Sequence, residues 1–593
     1  MESNAYMDKK FSHGKDRLAD FSRDLIILKL ASLAFVIGVM SAFIAYALIW
    51  LIRIITNLAF YQHLSSVFSS PSQHHLGFLV VFIPAIGGLL IGLMAKYGSE
   101  KIRGHGIPEA LEAILIGGSR MEPKVAVLKP ISSAISIGTG GPFGAEGPII
   151  MTGGAFGSLF AQLFHLSAAE RKTLLVAGAA AGMSAIFATP IAAVLLAVEL
   201  LLFEWKPRSF IPVAIASIVA GTVRIKLLGV GPIFPVAPHE ALGWEGLAIA
   251  VMVGIFAGLG SWLLTTLVYT FEDLFKKLPI HWMWWPAIGG LFVGLGGLIE
   301  PRVFGVGYDV IRDLLQGHLA GVALVTLLLV KAVVWAVALG SGTSGGVLAP
   351  LLIIGGALGA FESQWLSIGD SSLWAMISMA AVMGGTMRSP LTAILFTVEL
   401  THDFNLMPAL LVGCIVAYIF TVLVMRRSIL TEKVARRGHH ITREYSIDPL
   451  ELAKVGDVMD RDVQTIRSTM KVSELAEFIV NGDPGLTKHR AVPIVDEDQR
   501  LVGVISREDV LRNLSQGSNT TVLEAGNKDL ILVYPDEIVR DAVHKMLRQN
   551  VGRLLVVSRK DPTRIIGYLG RPSVFMAWMR RMEEENKRES IWK

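Results

Sequence analysis

From Asp24 to Met425 one apolar stretch follows another with few polar interruptions. A membrane-spanning helix needs about 20 apolar residues. The runs 25–59 and 242–271 exceed that and can cross at a tilt. Others are short and cut by Gly or Pro: 107–117, 147–165, 190–203, 346–360 and 390–400. These predict half-helices that start or stop at membrane depth. Irregular backbone is tolerated there only under protein cover or along a cavity. Past Arg426 the pattern changes. Residues 455–514 and 523–579 share one plan: an amphipathic helix, a Val/Ile-rich strand, a polar turn, a short strand and a last helix. That alternation predicts a pair of small α/β modules.

The apolar part repeats itself. Residues 180–200 and 380–400 align at an offset of 200 with nine of 21 positions identical, including Pro190/Pro390 and Glu199/Glu399. GPIIMTGGAFG (147–157) likewise matches APLLIIGGALG (349–359). Order and spacing agree over two blocks, so this is an internal duplication of a membrane unit. Interrupted helices at matching places in two halves point to a transporter's binding site. The pattern leaves open whether the halves are inverted. Glu199 and Glu399, deep in apolar helices, are expected to make structural hydrogen bonds at the repeat junctions.

Charge sharpens the division. Of 103 Asp, Glu, Lys and Arg residues, 53 lie in 427–593, 11 in the first 29, and only 39 across 30–426. An ordinary soluble domain carries about one in four. The expected organisation is a segment 1–23, a membrane domain 24–427 with repeats near 76–230 and 245–426, a linker 428–454, modules at 455–515 and 520–580, and a charged tail 581–593. Cys414 has no partner, which excludes a disulfide scaffold. No basic block interleaved with aromatics exists, so nucleic acid is not an expected partner. Lys9, Lys10, Lys15, Arg17, Arg23 and Lys29 open the first apolar run, and Arg426, Arg427, Lys433, Arg436 and Arg437 follow the last. By the positive-inside rule both termini are cytoplasmic. The first apolar run is too long for a secretory signal peptide.

Three glycine-bracketed helix starts stand out: Gly104-His105-Gly106-Ile107-Pro108, Gly144-Ala145-Glu146-Gly147-Pro148, and Gly345-Gly346-Val347-Leu348-Ala349-Pro350. Pro suits a first helical turn, where no N–H is needed. Free N–H groups and the positive dipole end make a helix start an anion site. Three together can replace an anion's hydration shell without Lys or Arg, and dipoles release what a fixed cation would trap. Glu146 is the only carboxylate between Glu122 and Glu170. An intramembrane acid is a functional residue by default. Ionised, it would occupy an anion's place; protonated, it would vacate it. That makes it a gate and a proton carrier, or else a plain acid satisfying the helix dipole.

These motifs resemble the anion-site signatures of the CLC family of chloride channels and proton/chloride antiporters, GSGIP, G(K/R)EGP and GxFxP, in order and spacing. The C-terminal pair resembles tandem CBS domains, and together the resemblances cover about 24–579. They imply an α-helical polytopic membrane protein with two inverted repeats of tilted and broken helices, plus a C-terminal α/β tandem CBS module. They also imply a homodimer with one pathway per subunit, in a bacterial inner membrane, with no enzymatic activity and no required cofactor. Glu146 takes the place of the gating glutamate. The backbone N–H groups of Val347 and Leu348 would line the anion site with His105, Gly106 and Ile107.

Departures from the family pattern matter. His105 stands where a coordinating Ser is usual: either its ring donates to the anion, or it points away and a backbone N–H suffices. Ala145 replaces a Lys or Arg. The inner tyrosine's place falls to Leu430 in Ser428-Ile429-Leu430-Thr431. Chloride is the default anion, with fluoride or nitrate the alternative. Antiporters of the family carry a second, inward glutamate. Glu204 lies one turn beyond the nearest aligned position, Leu200, and is either that proton relay or an interfacial partner of Lys206 or Arg208. Proton-coupled exchange and an uncoupled channel therefore both stand. In the tail, Gly503-Val-Ile-Ser506-Arg-Glu-Asp509 matches the ribose-contact pattern of adenine-nucleotide-binding CBS domains, which implies ATP or AMP at Ser506 and Asp509; the alternative is a purely structural module. A membrane metalloprotease is excluded, because His239-Glu240 continues Ala-Leu-Gly rather than to a second His. A cation channel would need more pore carboxylates than these motifs carry. The expected partners are thus chloride or another small anion, protons, the lipid bilayer, a second copy of the chain and an adenine nucleotide.

Overall fold

The computed structural model describes residues 26–439, 450, 453–481, 491–515 and 519–586. The N-terminal segment 1–23, most of the linker from 440 to 452 and the tail from 587 lie outside the described residues. The chain divides into two units between His439 and His440.

The helices of the first unit are α1 (Ile26–Tyr61), α2 (Phe82–Tyr97), α3 (Ile107–Leu115), α4 (Pro123–Gly138), α5 (Glu146–Gln162), α6 (Ala168–Phe187), α7 (Pro190–Leu196), α8 (Pro207–Leu228) and α9 (Trp244–Lys276). They continue with α10 (Trp285–Ile299), α11 (Tyr308–Leu315), α12 (Val322–Gly340), α13 (Leu348–Glu362), α14 (Ser371–Met387), α15 (Pro390–Thr401), α16 (Met407–Val424) and α17 (Ile429–Arg436). Among the described residues, seven helical stretches are long and apolar enough to span a bilayer. Phe35, Phe43, Ile218, Phe256 and Phe292 are exposed on them, an apolar surface too extensive for water. The segments read as half-helices are α3, α5, α7, α13 and α15, each starting within two residues of its expected point.

Two sets of contacts show how the repeats meet. Glu199 lies in a π-helical turn, Ala197–Leu202, that extends α7. Its carboxylate accepts from Leu391 N (3.2 Å) and Thr392 N (2.8 Å) at the head of α15. Glu399, near the end of α15, accepts in turn from Ile191 N (3.0 Å) and Ala192 N (2.8 Å) at the head of α7. Each helix's far end caps the other's near end, so the equivalent helices run antiparallel and the repeats are inverted. The expectation of structural bonds for these two acids holds. Ala188 and Arg388, 200 positions apart, also share a left-handed cap with φ of 56° and 57°.

The second contact is a crossing of α2 and α10 at backbone distance. A Cβ added at Gly88 would lie 2.1 Å from the Pro286 carbonyl oxygen, and one at Gly290 2.2 Å from that of Pro84. Only glycine permits this approach. Buried lysines follow the same symmetry. Lys129 Nζ donates to Ile102 O (2.8 Å) and Lys331 Nζ to Val303 O (2.8 Å).

One boundary moves. The segment expected to begin the linker at 428 starts with α17, which belongs to the first unit. Its charged composition disguises a buried face of Ile429, Leu430 and Val434. Ser428 caps it, and Tyr269 Oη donates to Ile429 O.

The second unit holds two three-stranded sheets, β1 (Ile466–Arg467), β2 (Ala491–Val495) and β3 (Leu501–Ser506), then β4 (Leu532–Val533), β5 (Arg553–Val557) and β6 (Ile565–Gly570). In each the first strand runs parallel to the second and the second antiparallel to the third. The two-residue strands β1 and β4 are too short to show a period in sequence. The modules interlock: Asp460 and Tyr568 exchange backbone hydrogen bonds of 2.8 Å, and Leu501 packs with Leu555, Val557 and Tyr568.

Gly290→Ala is expected to force α2 and α10 apart at a cost of about 1–3 kcal/mol. The readout is a lower thermal midpoint of the purified protein in detergent; an unchanged midpoint would show the crossing to be loose.

Candidate functional site

The three glycine motifs, scattered over 240 positions of sequence, converge. Gly346 N donates to Gly144 O at 2.8 Å and Gly144 N to Gly346 O at 3.3 Å, a two-way bridge between the second and third motifs. Gly345 N donates to Gly104 O (3.4 Å), joining the third to the first. The first also packs on the second: a Cβ at Gly147 would meet His105 O at 2.0 Å. These contacts explain why side chains are missing at 144, 147 and 346.

Glu146 is the first residue of α5 and is fully buried. Its carboxylate folds back over the bridge. A Cβ at Gly144 would fall 1.7 Å from Glu146 Oε2, and one at Gly346 2.7 Å from it. Among the described residues no side chain satisfies either oxygen, and the Ala349 amide at the head of α13 faces the group. A carboxylate thus occupies the convergence of two helix starts, where the dipoles favour negative charge. The N–H groups of Val347 and Leu348 beside it have no carbonyl four residues back within the helix; both residues are fully buried.

The first motif opens α3. Gly106 adopts φ +89°, and its N–H is held by Glu109 Oε2 at 3.0 Å. His105 is buried, and neither ring nitrogen has a hydrogen-bond partner among the described residues. A buried, unpaired imidazole is costly, so the ring is a polar group in want of a ligand. Ile107 is fully buried at the helix start. Leu430 is fully buried at the head of α17 and offers no polar side-chain atom.

Charged residues that the motifs do not contain support them. Lys129 is fully buried and donates to Ile102 O (2.8 Å), Gly104 O (2.7 Å) and Ser344 Oγ (3.0 Å). It pins the first motif against the third from behind. Glu109, besides holding Gly106, accepts from Arg437 at 2.6 Å. Lys129 is not among the residues the motifs single out; its signal in sequence is a cation in mid-helix between apolar residues, Val127-Leu128 before it and Pro130-Ile131 after it.

Glu204 follows the π-helical turn, and its neighbours Ser209, Lys206 and Lys172 all lie outside the motif loops. It accepts from Ser209 Oγ (2.5 Å) and pairs with Lys206 Nζ (3.0 Å). Burial would raise its carboxyl pKa, but Lys172, Ser209 and Lys206 outweigh that and hold it below the ordinary value. This pairing stabilises at neutral pH and is lost as pH falls through the depressed value. In the second unit, Asp509 Oδ2 accepts from Ser506 N (3.0 Å) and Oγ (2.6 Å), and Asp509 N donates to Ser506 Oγ (3.2 Å). The pair therefore caps the helix that follows β3, and Asp509 Oδ1 stands 3.9 Å from Arg512 Nη1.

Fold and site define a class: a polytopic membrane protein of two inverted repeats whose broken helices meet at one buried carboxylate. A family model described as voltage gated chloride channel matches residues 87–422, over half the chain, and CBS domain models match 455–516 and 522–578. The chain belongs to the voltage-gated chloride channel family and carries two CBS domains. It is similar to a voltage-gated ClC-type chloride channel ClcB of Escherichia coli O81 (30% identity over 366 residues, 60% of this chain and 87% of the relative). A putative chloride channel protein ClcB-like of Ralstonia nicotianae is 27% identical over 350 residues, 57% of this chain and 81% of the relative. Among solved structures, a slow cyanobacterial Cl-/H+ antiporter shares the fold with TM-score 0.62 at 21% identity, over 69% of this chain and 97% of that one. A eukaryotic CLC transporter does so with TM-score 0.61 at 17% identity, over 92% and 98%.

Lys129→Met orphans the Ile102 carbonyl, at about 1–3 kcal/mol, while Gly104 O keeps Gly345 N and Ser344 Oγ keeps Ser132 and Ser133. The variant is expected to melt well below wild type in detergent, and an unaltered midpoint would show the loop to be self-supporting.

Proposed function

We propose that the chain moves chloride across a bilayer through the convergence of helix starts, with Glu146 as the gate. The observation that carries this reading is the Glu146 carboxylate, without a side-chain partner among the described residues and facing the α13 amides. Ionised, it blocks that position by charge and volume. Protonated, it loses the helix dipole's attraction and can leave. His105, Gly106, Ile107, Val347 and Leu348 are assigned to the freed position, and Leu430 to its inner side. The other small anions considered, fluoride and nitrate, compete for the same amides.

The face bearing α17 is assigned to the cytoplasm, because Arg426, Arg427, Lys433, Arg436 and Arg437 cluster there. Both termini then lie inside, in a bacterial inner membrane, and the working unit is a homodimer with one pathway in each copy. The channel and antiporter names borne by relatives leave Glu204 as the deciding residue. Its firm pairing with Lys206 and Ser209 favours a structural part and weak proton coupling. The CBS pair is assigned one adenine-nucleotide site, at Ser506 and Asp509.

Glu146→Gln in proteoliposomes is expected to keep an anion path and abolish proton movement with it; protons that still follow chloride would overturn the gate. Glu204→Gln should leave a reversal potential against a pH gradient unchanged if that residue only braces the fold, and should collapse the shift if it relays protons. Asp509→Ala in the full chain is expected to weaken ATP binding about tenfold, the worth of one or two charge-assisted bonds. Wild-type protein that binds no ATP would remove the nucleotide site.

A further inference from the structure

Leu430, buried at the head of α17, offers no polar side-chain atom, and a cation stands one turn further on. Lys433 follows Leu430 by three residues, so both lie on one face of α17. Its side chain is only 15% exposed. It lines a cavity of about 580 Å³ with Arg103, Glu109, Met151, Gly342 and Arg437. That cavity abuts the motif loops. Arg103 immediately precedes the first motif and Gly342 closely precedes the third, while Met151 Cβ would stand 3.2 Å from a Cβ added at Gly106.

The ammonium reaches the first motif directly. A Cβ at Gly104 would lie 3.0 Å from Lys433 Nζ, and Gly104 sits at φ +83°. Any side chain at 104 would displace the cation. The Gly104 carbonyl is held on its other side by Lys129. Because a trans peptide sets N–H opposite C=O, that anchor turns the His105 N–H away from Lys129.

The carboxylates around Lys433 are engaged elsewhere. Arg437 takes Glu109 and Glu112, both at 2.6 Å. Glu272 is held by Lys276 at 2.8 Å and approached by Arg436 at 3.8 Å. Lys433 Nζ stands 3.9 Å from Glu272, outside hydrogen-bond reach. It donates no hydrogen bond among the described residues. Three donors on a flexible stem therefore face a cavity beside the helix start.

We propose that Lys433 Nζ is an anion ligand at the α17-side mouth, handing a small inorganic anion, chloride first, between the cavity and the amides of the 104–107 loop. This rests on the anion-transport reading above. A lysine suits the task because its ammonium is a mobile point charge rather than a fixed fork. Glu109 and Glu272 nearby limit its hold, so that the ion can leave.

The test is chloride binding by calorimetry on the full-length protein in detergent, with radiolabelled chloride flux from proteoliposomes alongside. Lys433→Met is expected to weaken chloride binding about tenfold, the worth of one charge-assisted bond. Lys433→Arg keeps the charge and should stay within about twofold of wild type. Glu272→Gln should leave binding unchanged or tighten it. Wild-type affinity in Lys433→Met would overturn the proposal. So would an equal loss in Lys433→Met and Glu272→Gln, which would make the lysine only that glutamate's partner. Should Lys433→Met not fold, Lys433→Gln carries the same comparison. Wild-type protein that neither binds nor moves chloride would instead overturn the transport reading itself.

Discussion

Two backbone hydrogen bonds between Gly144 and Gly346 join the repeats at their centre. The rest of the site is arranged around that bridge. It needs glycine on both strands, because Glu146 Oε2 fills the space a side chain would take. It brings the heads of α5 and α13 together, so the positive ends of two helices face one carboxylate. The first motif then stacks on both through Gly104 and His105. The carboxylate lies at the seam of the duplication, not inside either copy. A site at a seam can respond when the halves shift against each other, whereas one inside a rigid half cannot.

The electrostatics are layered. Backbone dipoles make the inner layer, where a permanent full charge would bind an anion too firmly to release it. Full charges stand behind: Lys129 grips carbonyls rather than facing the path, and Arg437 reaches the first motif only through Glu109. Each of these cations is occupied by the protein's own oxygens. They fix where the amides point instead of competing for the ion.

Much of this was legible in sequence, and the reasons are local. Half-helices announce themselves by Gly and Pro at their heads, and all five were placed within two residues. The duplication showed through identical Pro and Glu positions, and the reciprocal caps explain why Glu199 and Glu399 match. What escaped depended on distance along the chain. Lys129 meets Ser344 across 215 positions, and Arg437 meets Glu109 across 328. No window of sequence relates such residues. α17 reads as linker in sequence because its three charged side chains, Glu432, Lys433 and Arg436, equal its three apolar core residues in number. The inversion of the repeats was invisible because a duplicated pattern carries no direction; two pairs of hydrogen bonds supply it.

Those reciprocal caps bear on how the protein is made. The α7 amides at Ile191 and Ala192 bond to a carboxylate 207 or 208 positions later in the chain. At ~5–20 residues per second, the ribosome delivers that partner roughly 10–40 s after the amides themselves. During that interval the first half sits in or beside the membrane with an uncapped helix head, and Glu199 waits equally for Leu391 and Thr392. An uncapped end in hydrocarbon costs several kcal/mol per unsatisfied group. The first half must therefore be sheltered by the insertion machinery or by lipid headgroups until synthesis is nearly through the second. The symmetry that stabilises the finished molecule makes its first half a dependent intermediate.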